Sequence, residues 1–467
     1  MDFILSVIDA INTALWDYAL LFLLCGTGIY FTIRLKFIQV RKFTEGFRRL
    51  FGGLKLNGKK AGADGMSSFQ ALTTAIAAQV GTGNIAGAAT AIVSGGPGAI
   101  FWMWVSAFFG MATIFAEAVL AQKYKTTVEG EVTGGPIYYI RAAFQGKLGK
   151  FLAVFFSIAV ILALGFMGNM VQSNSIGVAM ESAFGVPAVA AGVVVAIIAG
   201  FIFLGGVKRI AWVTEKIVPF MALFYIVGCV IILCMNYAAV GEAFRQIFVM
   251  AFAPQSVAGG VMGITVQKAM RFGVARGLFS NEAGMGSTPH AHAMAKVKKP
   301  QDQGIMAMMG VFIDTFIILT LTALVILTSG VLSSGKTGTE LAQAAFHASF
   351  GYAGDVFIAV CIFFFAFSTI VGWYFFGQTN VKALFGKKAV KVYALLVVVF
   401  VVVGSAQQVD LVWNLSDMFN GLMVIPNLLG LLALSSIVVK LAQDRDNTRL
   451  TSEHFEDNTE RRETTND

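Results

Sequence analysis

The sequence predicts an all-α integral membrane protein with eleven transmembrane helices, ten of them arranged as two five-helix repeats of opposite orientation. The 467-residue chain is 57% hydrophobic and only 13% charged, whereas globular proteins carry about 25% charge. A soluble core could not hold 42 phenylalanines among so few charged residues. Apolar runs of about 20 residues, the length that crosses a bilayer, recur along the chain. Glycine-broken runs open each half.

The apolar runs define the predicted spans in order. They cover residues 13–33, 68–94, 98–121, 151–180, 187–207, 210–235, 272–295, 304–330, 355–380, 391–408 and 411–438. Every second connection is rich in lysine and arginine, whereas S-G-G-P-G and E-S-A-F-G contain neither. Because basic loops stay in the cytoplasm, the N-terminus is predicted outside and the C-terminus inside. Lys268, Arg271 and Arg276 are exceptions near the outer side. The net charge of +8 is explained by this distribution, and it does not predict nucleic-acid binding.

The spans also predict the organisation of the chain. It consists of an extra N-terminal transmembrane helix with a basic cytoplasmic segment (1–66), a first five-helix repeat (67–236), an outer connection (237–271), a second five-helix repeat (272–440) and a cytoplasmic tail (441–467). An odd number of spans in each half makes the two halves opposite in orientation. Each half opens with a glycine-broken span, near Gly81 and near Gly284. Matched broken spans of this kind indicate the binding site of a secondary transporter.

The first break, Q-V-G-T-G-N, has the chemistry to bind an ion and a carboxylate together. A broken helix frees N–H groups at one half-helix and carbonyl groups at the other. The N–H groups suit a carboxylate, and the carbonyls suit Na⁺, a hard cation. Gly81 and Gly83 allow close approach to the backbone. Thr82 and Asn84 can add side-chain oxygens.

Polar residues also lie on the third span of each half. Ser368 and Thr369 place two adjacent hydroxyls at membrane depth. They could bond back to their own helix, or they could bind a cation opposite the unwound helix. Gln172 could connect helices or contact substrate. By default, Phe279 and Trp373 are packing residues, and near a pocket they would also limit its size.

Four carboxylates are predicted to lie deep within the spans, where ionisable residues are costly and usually functional. They are Glu117, Glu282, Asp314 and Asp417. Glu117 could pair with Lys123 near the inner surface. Asp314 could carry a proton or an ion, or it could satisfy a neighbouring helix end. The pair His290 and His292 has a spacing of two, which is poor for one helix face, so no transition-metal site is predicted.

Several motifs identify a family. They are Q-V-G-T-G-N-I-A-G, G-G-P-G-A-I-F-W-M-W, E-G-E-V-T-G-G-P-I-Y-Y-I and R-G-L-F-S-N-E-A-G-M-G-S-T-P-H-A-H-A. The chain, from about residue 13 to 440, resembles the alanine or glycine:cation symporters, also called sodium:alanine symporters. The resemblance implies a leucine-transporter-type fold with one extra N-terminal helix. It also implies uptake of alanine and glycine driven by Na⁺, or by H⁺, with no cofactor.

The resemblance further implies roles for individual residues. Gly81, Thr82 and Gly83 would meet the substrate carboxylate, and Gln79, Gln172, Phe279 and Trp373 would line the pocket. Na⁺ would be held by the carbonyls of Ala77, Val80 and Phe365 and the hydroxyls of Ser368 and Thr369. Asn84 matches a position that touches a second sodium in relatives of the fold.

Other functions remain open from the residues alone. A channel needs a continuous polar pore, whereas the polar residues here cluster at mid-depth in a few spans. A membrane enzyme is less favoured, because no carboxylate pair, metal cluster or nucleophile–base pair gathers at one face. The nearest rival is a symporter of the same fold for another small solute. The predicted location is the plasma membrane, of the bacterial inner-membrane type. The sequence does not predict an oligomeric state.

Overall fold

The computed structural model describes residues 2–52, 65–252, 266–407 and 409–443. Within them, seven helices are long and apolar enough to cross a membrane, and an eighth span results when one bent helix pair is counted. Two shorter apolar helices add to these. The predicted all-α membrane protein is confirmed. The seven or eight spans fall short of the predicted eleven.

The described residues of the first half form thirteen α-helices and one hairpin. The helices are α1 (Asp2–Thr13), α2 (Leu20–Arg34), α3 (Ile38–Arg41), α4 (Phe43–Gly52), α5 (Ser68–Gln79), α6 (Ala88–Gly95), α7 (Gly98–Lys123), α8 (Pro136–Ala143), α9 (Gly146–Val160), α10 (Asn169–Phe184), α11 (Ala188–Leu204), α12 (Gly206–Met235) and α13 (Tyr237–Met250). The hairpin pairs β1 (Thr126–Val128) with β2 (Glu131–Thr133), antiparallel. Wider π-helical turns occupy Ala14–Ala19, Gly83–Gly87 and Ile161–Gly168.

The second half contains nine helices within the described residues. They are α14 (Val266–Asn281), α15 (Pro289–Ala293), α16 (Pro300–Val311), α17 (Thr320–Thr328), α18 (Gly338–Phe350), α19 (Tyr352–Phe385), α20 (Ala389–Ser405), α21 (Val409–Ala433) and α22 (Ser435–Gln443). A π-helical turn, Phe312–Leu319, joins α16 to α17, and a short 3₁₀ turn covers Val331–Ser334. π-Helical turns are frequent at functional sites, and two of those in this chain, at Gly83–Gly87 and at Phe312–Leu319, include candidate site residues.

The first broken span is formed by α5 and the helix from Gly83 to Gly95, which meet at a bend of 47°. Ser67 starts α5 with a capping box: its hydroxyl accepts the Gln70 N–H, and the Gln70 side chain accepts the Ser67 N–H. The helix ends at Gln79, because Val80 leaves the helical conformation at φ −82° and ψ 87°. The break therefore lies at the predicted glycines.

The second broken span is formed by α14 and α15, and it runs antiparallel to the first. Glu282, Gly284 and Gly286 all have positive φ and separate the two helices. Met66, before α5, pairs through backbone hydrogen bonds with Met294 and Lys296, after α15. The beginning of one broken span thus lies beside the end of the other. α5 packs on α15 and α6 packs on α14, which brings both breaks to the centre.

Some helix bounds differ from the sequence-based expectation. Helix α14 begins at Val266, six residues inside the predicted outer connection 237–271. Of the basic residues that made this stretch read as a loop, Arg271 pairs with Asp17 of the N-terminal span at 2.5 Å. The predicted connection also contains α13. Residues 253–265 and most of the predicted tail lie outside the described residues.

Candidate functional site

The first break places backbone N–H groups among buried polar side chains. The Gly81 N–H donates to Asn84 Oδ1 at 3.0 Å, and the Thr82 N–H donates to Gln172 Oε1 at 3.1 Å. Gln79 donates from Nε2 to the Asn281 carbonyl at 2.7 Å, which ties this break to the second broken span. The predicted carboxylate-binding residues and two of the predicted pocket residues therefore lie together.

Three polar atoms at this break have no hydrogen-bond partner. They are Gln79 Oε1, Thr82 Oγ1 and Gln172 Nε2, and all three side chains are buried. An unsatisfied buried polar group costs about 1–3 kcal/mol. Three such groups at one break supply acceptors and donors of the kind that a polar ligand uses. This cluster is the strongest indication of a binding site within the described residues.

Oxygen atoms converge where α19 packs beside the first break. Thr369 Oγ1 lies 2.9 Å from the Ala77 carbonyl, 3.5 Å from that of Val80 and 3.0 Å from that of Phe365. Ser368 Oγ lies 3.3 Å from the Ala77 carbonyl and 2.9 Å from that of Phe365. Each hydroxyl thus bonds to its own helix and also reaches the freed carbonyls. All five predicted cation-binding residues meet here, and oxygen donors suit a hard cation such as Na⁺.

Aromatic side chains form a wall beside the first break. The rings of Phe279 and Trp373 meet edge-to-face, with centroids 5.6 Å apart. Phe279 also packs on Trp413 at 4.7 Å. A Cβ at Gly83 would lie 3.2 Å from the Phe279 ring, so the predicted aromatic wall adjoins the first break. Both predicted aromatic residues are buried.

The second break has its N–H groups already occupied. The Glu117 carboxylate accepts from the N–H groups of Gly284, at 3.0 Å, and Gly286, at 2.9 Å. Asn427 donates to the same carboxylate at 2.7 Å. The expected pairing of Glu117 with Lys123 is therefore wrong, because two backbone donors and one amide satisfy the carboxylate inside the protein. A carboxyl group of the protein itself thus fills the second break, whereas the N–H groups of Gly81 and Thr82 at the first break donate to side-chain amide oxygens.

Glu282 lies in the second break at φ 59°. Its carboxylate accepts from the Trp373 indole N–H and from the Ser287 hydroxyl. The indole of Trp373, a predicted pocket residue, is therefore oriented by a carboxylate of the second broken span. The sequence showed Glu282 to be ionisable at membrane depth, but it gave no signal for its partner.

Asp314 connects the two breaks. Its carboxylate accepts from Asn84 Nδ2 at 2.7 Å, from Ser280 Oγ at 2.9 Å and from Thr315 Oγ1 at 2.8 Å. Asn84 belongs to the first broken span and Ser280 to the second. Asp314 thus contacts side chains of both spans and does not cap a helix end through backbone N–H groups. Sequence reasoning missed Ser280, which differs from the other serines of the spans only by its position beside a break.

An ion pair lies one helical turn from the aromatic wall. Arg276 donates to both oxygens of Asp417 at 2.8 Å, and its guanidinium stacks on the Trp413 ring at 4.6 Å. On α14, Arg276 precedes Phe279 by three residues, so the two side chains share one face of that helix. On α21, Asp417 follows Trp413 by four residues, so these two also share one face. The pair explains why an arginine is tolerated near the predicted outer side.

The two histidines of α15 have separate partners. His290 contacts the Ser287 carbonyl at 2.6 Å and Asn380 at 2.8 Å, whereas His292 contacts Gln303 at 2.9 Å. In the described ranges, no group of three or more His, Cys, Asp or Glu side chains is placed to hold a metal ion. Both rings are buried and serve as packing and hydrogen-bonding groups of α15.

Comparison with known proteins identifies the chain. Residues 1–459 match the sequence profile of the sodium:alanine symporter family. The chain belongs to this family. The sodium/alanine symporter AgcS of Methanococcus maripaludis is 44% identical over 445 residues, which cover 94% of this chain and 96% of the relative. The amino-acid carrier protein AlsT of Bacillus subtilis is 41% identical over 445 residues, which cover 95% of this chain and 92% of AlsT. The probable sodium/glutamine symporter GlnT of the same organism is 40% identical over 440 residues, which cover 94% of this chain and 90% of GlnT.

Solved structures establish the fold. The crystal structure of MhsT in complex with L-phenylalanine is 14% identical and superposes with a TM-score of 0.56, covering 83% of this chain and 98% of MhsT. A Na⁺-coupled sialic acid symporter superposes with a TM-score of 0.50 at 15% identity. The match covers 85% of this chain and 81% of that symporter. The chain therefore has the expected leucine-transporter-type fold. It is a multi-pass plasma-membrane transporter of a sodium-coupled amino-acid symporter family, and it is not an enzyme.

Proposed function

We propose that the chain imports small neutral amino acids, alanine and glycine, together with Na⁺ by alternating access. The observation that supports this best is the first break, where three unpartnered buried polar atoms lie beside five converging oxygens. A zwitterion and a cation have the complementary chemistry. A freed N–H end attracts the carboxylate, and freed carbonyls attract Na⁺.

The substrate carboxylate is proposed to bind at Gly81, Thr82 and Gly83. The N–H groups of Gly81 and Thr82 now donate to the side-chain oxygens of Asn84 and Gln172, and a carboxylate would replace these weaker acceptors, because charge-assisted hydrogen bonds are stronger. Thr82 Oγ1 and Gln172 Nε2 would then donate to the carboxylate, and Gln79 Oε1 would accept from the substrate ammonium group. The second break is a poor alternative, because Glu117 occupies its N–H groups.

Na⁺ is proposed to bind among the carbonyls of Ala77, Val80 and Phe365 and the hydroxyls of Ser368 and Thr369. These atoms come from the end of α5 with its C-cap residue Val80 and from α19, which must stay together for the ion to be held. Na⁺ binding therefore favours one arrangement of the two helices and prepares the break for the amino acid. This differential binding couples the ion to the substrate.

The size of the substrate is proposed to be limited by Phe279 and Trp373. Their rings are in contact, so a long side chain would collide with a packed wall, which costs more than an unfilled space. Among relatives, both an alanine and a glutamine symporter are named. In this chain, the wall is proposed to exclude the larger of these two substrates.

A second coupling position is proposed at Asp314 and Asn84. Asp314 lies between the two broken spans, with only hydroxyl and amide donors on its carboxylate. A second Na⁺, or a proton, would neutralise this buried charge. An intramembrane carboxylate between moving elements is suited to such a role. Proton coupling is the second candidate, and it rests on this same residue.

The topology is proposed to consist of eleven spans. Eight come from the long helices and the bent pair, two from Ala188–Leu204 and Ala389–Ser405, and one from α14 with α15. Omitting the N-terminal span leaves two repeats of five in opposite orientation. With basic connections in the cytoplasm, the N-terminus lies outside and the C-terminus inside. Arg276 and Asp417 then close the outer side above the aromatic wall.

The driving force is sufficient for accumulation. One charge crossing ~100 mV supplies about 2.3 kcal/mol, and a tenfold Na⁺ gradient adds about 1.4 kcal/mol. Together they support roughly 500-fold accumulation of a net-neutral amino acid per Na⁺.

Binding to the purified protein tests the carboxylate assignment. Isothermal titration in Na⁺ compares alanine with alaninamide, which lacks the carboxylate, and with leucine, which is larger. Alanine is expected to bind, and both analogues are expected to bind at least about tenfold more weakly. Equal binding of alaninamide would show that the N–H groups of the first break do not hold a carboxylate.

A further inference from the structure

A cavity of about 450 Å³ lies where four helix ends meet on one side of the molecule. It is formed by the end of α11, the start of α12, the end of α19 and the start of α20, and the β1–β2 hairpin borders it. On α19 the cavity is lined by Tyr374, Gln378 and Lys382, which all follow Thr369 in the chain. Its volume is in the range of pockets that bind small molecules or headgroups.

The cavity is strongly basic. Lys208, Lys382, Lys387 and Lys391 line it, together with one carboxylate, Glu131. Glu131 pairs with Lys382 at 2.5 Å and with Lys387 at 3.2 Å. Four positive charges less one negative charge leave a net charge of +3 on the lining residues. Lys208 and Lys391 are exposed and face no second carboxylate among these residues. The charge predicts an anionic ligand.

The cavity is flanked by two apolar helices with exposed side chains. Leu204 and Phe201 on α11 are 83% and 64% exposed, and Val392 and Leu395 on α20 are 60% and 65% exposed. The two helices pack on each other. Arg209 lies over the Phe201 ring at 4.2 Å, as basic side chains do where apolar helices reach a membrane surface. Acyl chains would lie along these helix faces below the lysines.

From these observations we infer that the cavity binds the headgroup phosphate of an anionic glycerophospholipid. The lysines supply the charge, and the exposed faces of α11 and α20 supply contacts for the acyl chains. Basic pockets between transmembrane helices on the cytoplasmic side hold anionic headgroups by the same combination. A free phosphate would use only the lysines. The inference does not depend on the identity of the transported substrate.

Native mass spectrometry of the full-length protein tests the inference. The purified protein is exchanged into mixed micelles with equal phosphatidylglycerol and phosphatidylcholine, and the lipid that it retains is counted. The test variant is Lys208→Gln with Lys391→Gln. The control variant is Lys147→Gln with Lys150→Gln, because these lysines are exposed at the start of α9 and do not line the cavity. Lys208→Arg with Lys391→Arg keeps the charge.

The wild type, the control and the arginine variant are expected to retain phosphatidylglycerol in preference to phosphatidylcholine. The glutamine variant is expected to retain it on the order of 25-fold more weakly, since each lysine contributes about fivefold near an anionic lipid. Equal retention of both lipids by the wild type, or unchanged retention by the glutamine variant, would overturn the inference. Displacement of the lipid by millimolar inorganic phosphate would also overturn it, because the site would then bind free phosphate.

Discussion

The hydroxyl of Thr369 lies 2.9 Å from the carbonyl oxygen of Ala77, although 292 residues separate them in the chain. Ala77 is in the last turn of α5, where the broken helix leaves its carbonyls without intrahelical partners. Thr369 is in the middle of α19. The contact places the hydroxyl of one helix on the freed carbonyls of another, and it is the contact on which the proposed ion site rests.

Loss of the Thr369 hydroxyl is expected to weaken Na⁺ binding. Thr369→Ala removes an oxygen that lies close to both Ala77 and Phe365. A charged group that loses one polar partner loses about 1.5–3 kcal/mol, so the Na⁺ concentration for half-maximal uptake should rise about 10- to 100-fold. Thr379→Ala is the matched control, because that hydroxyl bonds only back to its own helix at Phe375. Equal shifts in the two variants would argue against the ion site.

A methyl group at Gly81 is expected to abolish transport. The Cβ of Gly81→Ala would lie 2.3 Å from Thr369 Oγ1 and 3.1 Å from Gln172 Oε1, so the break and α19 could not approach as they do. Gly87→Ala is the control in the same broken span, because its Cβ would meet nothing closer than 3.9 Å. Initial rates of alanine uptake check the pair. Full activity of the Gly81 variant would show that the close approach is unnecessary.

Shortening Phe279 is expected to widen the range of substrates. Phe279→Ala removes one ring of the contact with Trp373 and leaves space for a larger side chain. Competition of leucine, methionine and glutamine against labelled alanine measures the effect, and inhibition should strengthen by about 10-fold or more. Trp373→Ala should act in the same direction but also removes the hydrogen bond to Glu282. Phe363→Ala, elsewhere on α19, is the control. Unchanged competition in both pocket variants would remove these residues from the pocket.

Neutralising Asp314 is expected to change the coupling and to leave the fold intact. Asp314→Asn preserves the size of the side chain and removes its charge, so one fewer cation should enter with each alanine. The ratio of ²²Na⁺ to alanine flux, measured at two external pH values, separates a second Na⁺ from a proton. Asp355→Asn is the control, because Asp355 pairs with His347 at the exposed end of α19. An unchanged ratio at both pH values would exclude Asp314 from coupling.

The position of the first break and the two hydroxyls beside it were predictable from the sequence, because glycine breaks and adjacent hydroxyls are local signals. Gly81 lies at a break, and Ser368 and Thr369 lie on the helix beside it. The long-range partners were not predictable. Glu117 bonds to backbone N–H groups 167 and 169 residues away, and Arg276 pairs with an aspartate 141 residues away. Hydrophobic patterns identify spans, but they do not specify which buried charges meet when the spans pack.

Uptake of labelled alanine into proteoliposomes tests the central claim most directly. The purified protein is reconstituted, and uptake is followed with an inward Na⁺ gradient and again with K⁺ in place of Na⁺. Accumulation above equilibrium with Na⁺ alone is predicted. Equal uptake with either ion, lost when a pH gradient is collapsed, would contradict Na⁺ coupling and assign the role to H⁺. No accumulation of alanine under any gradient would contradict the proposed substrate.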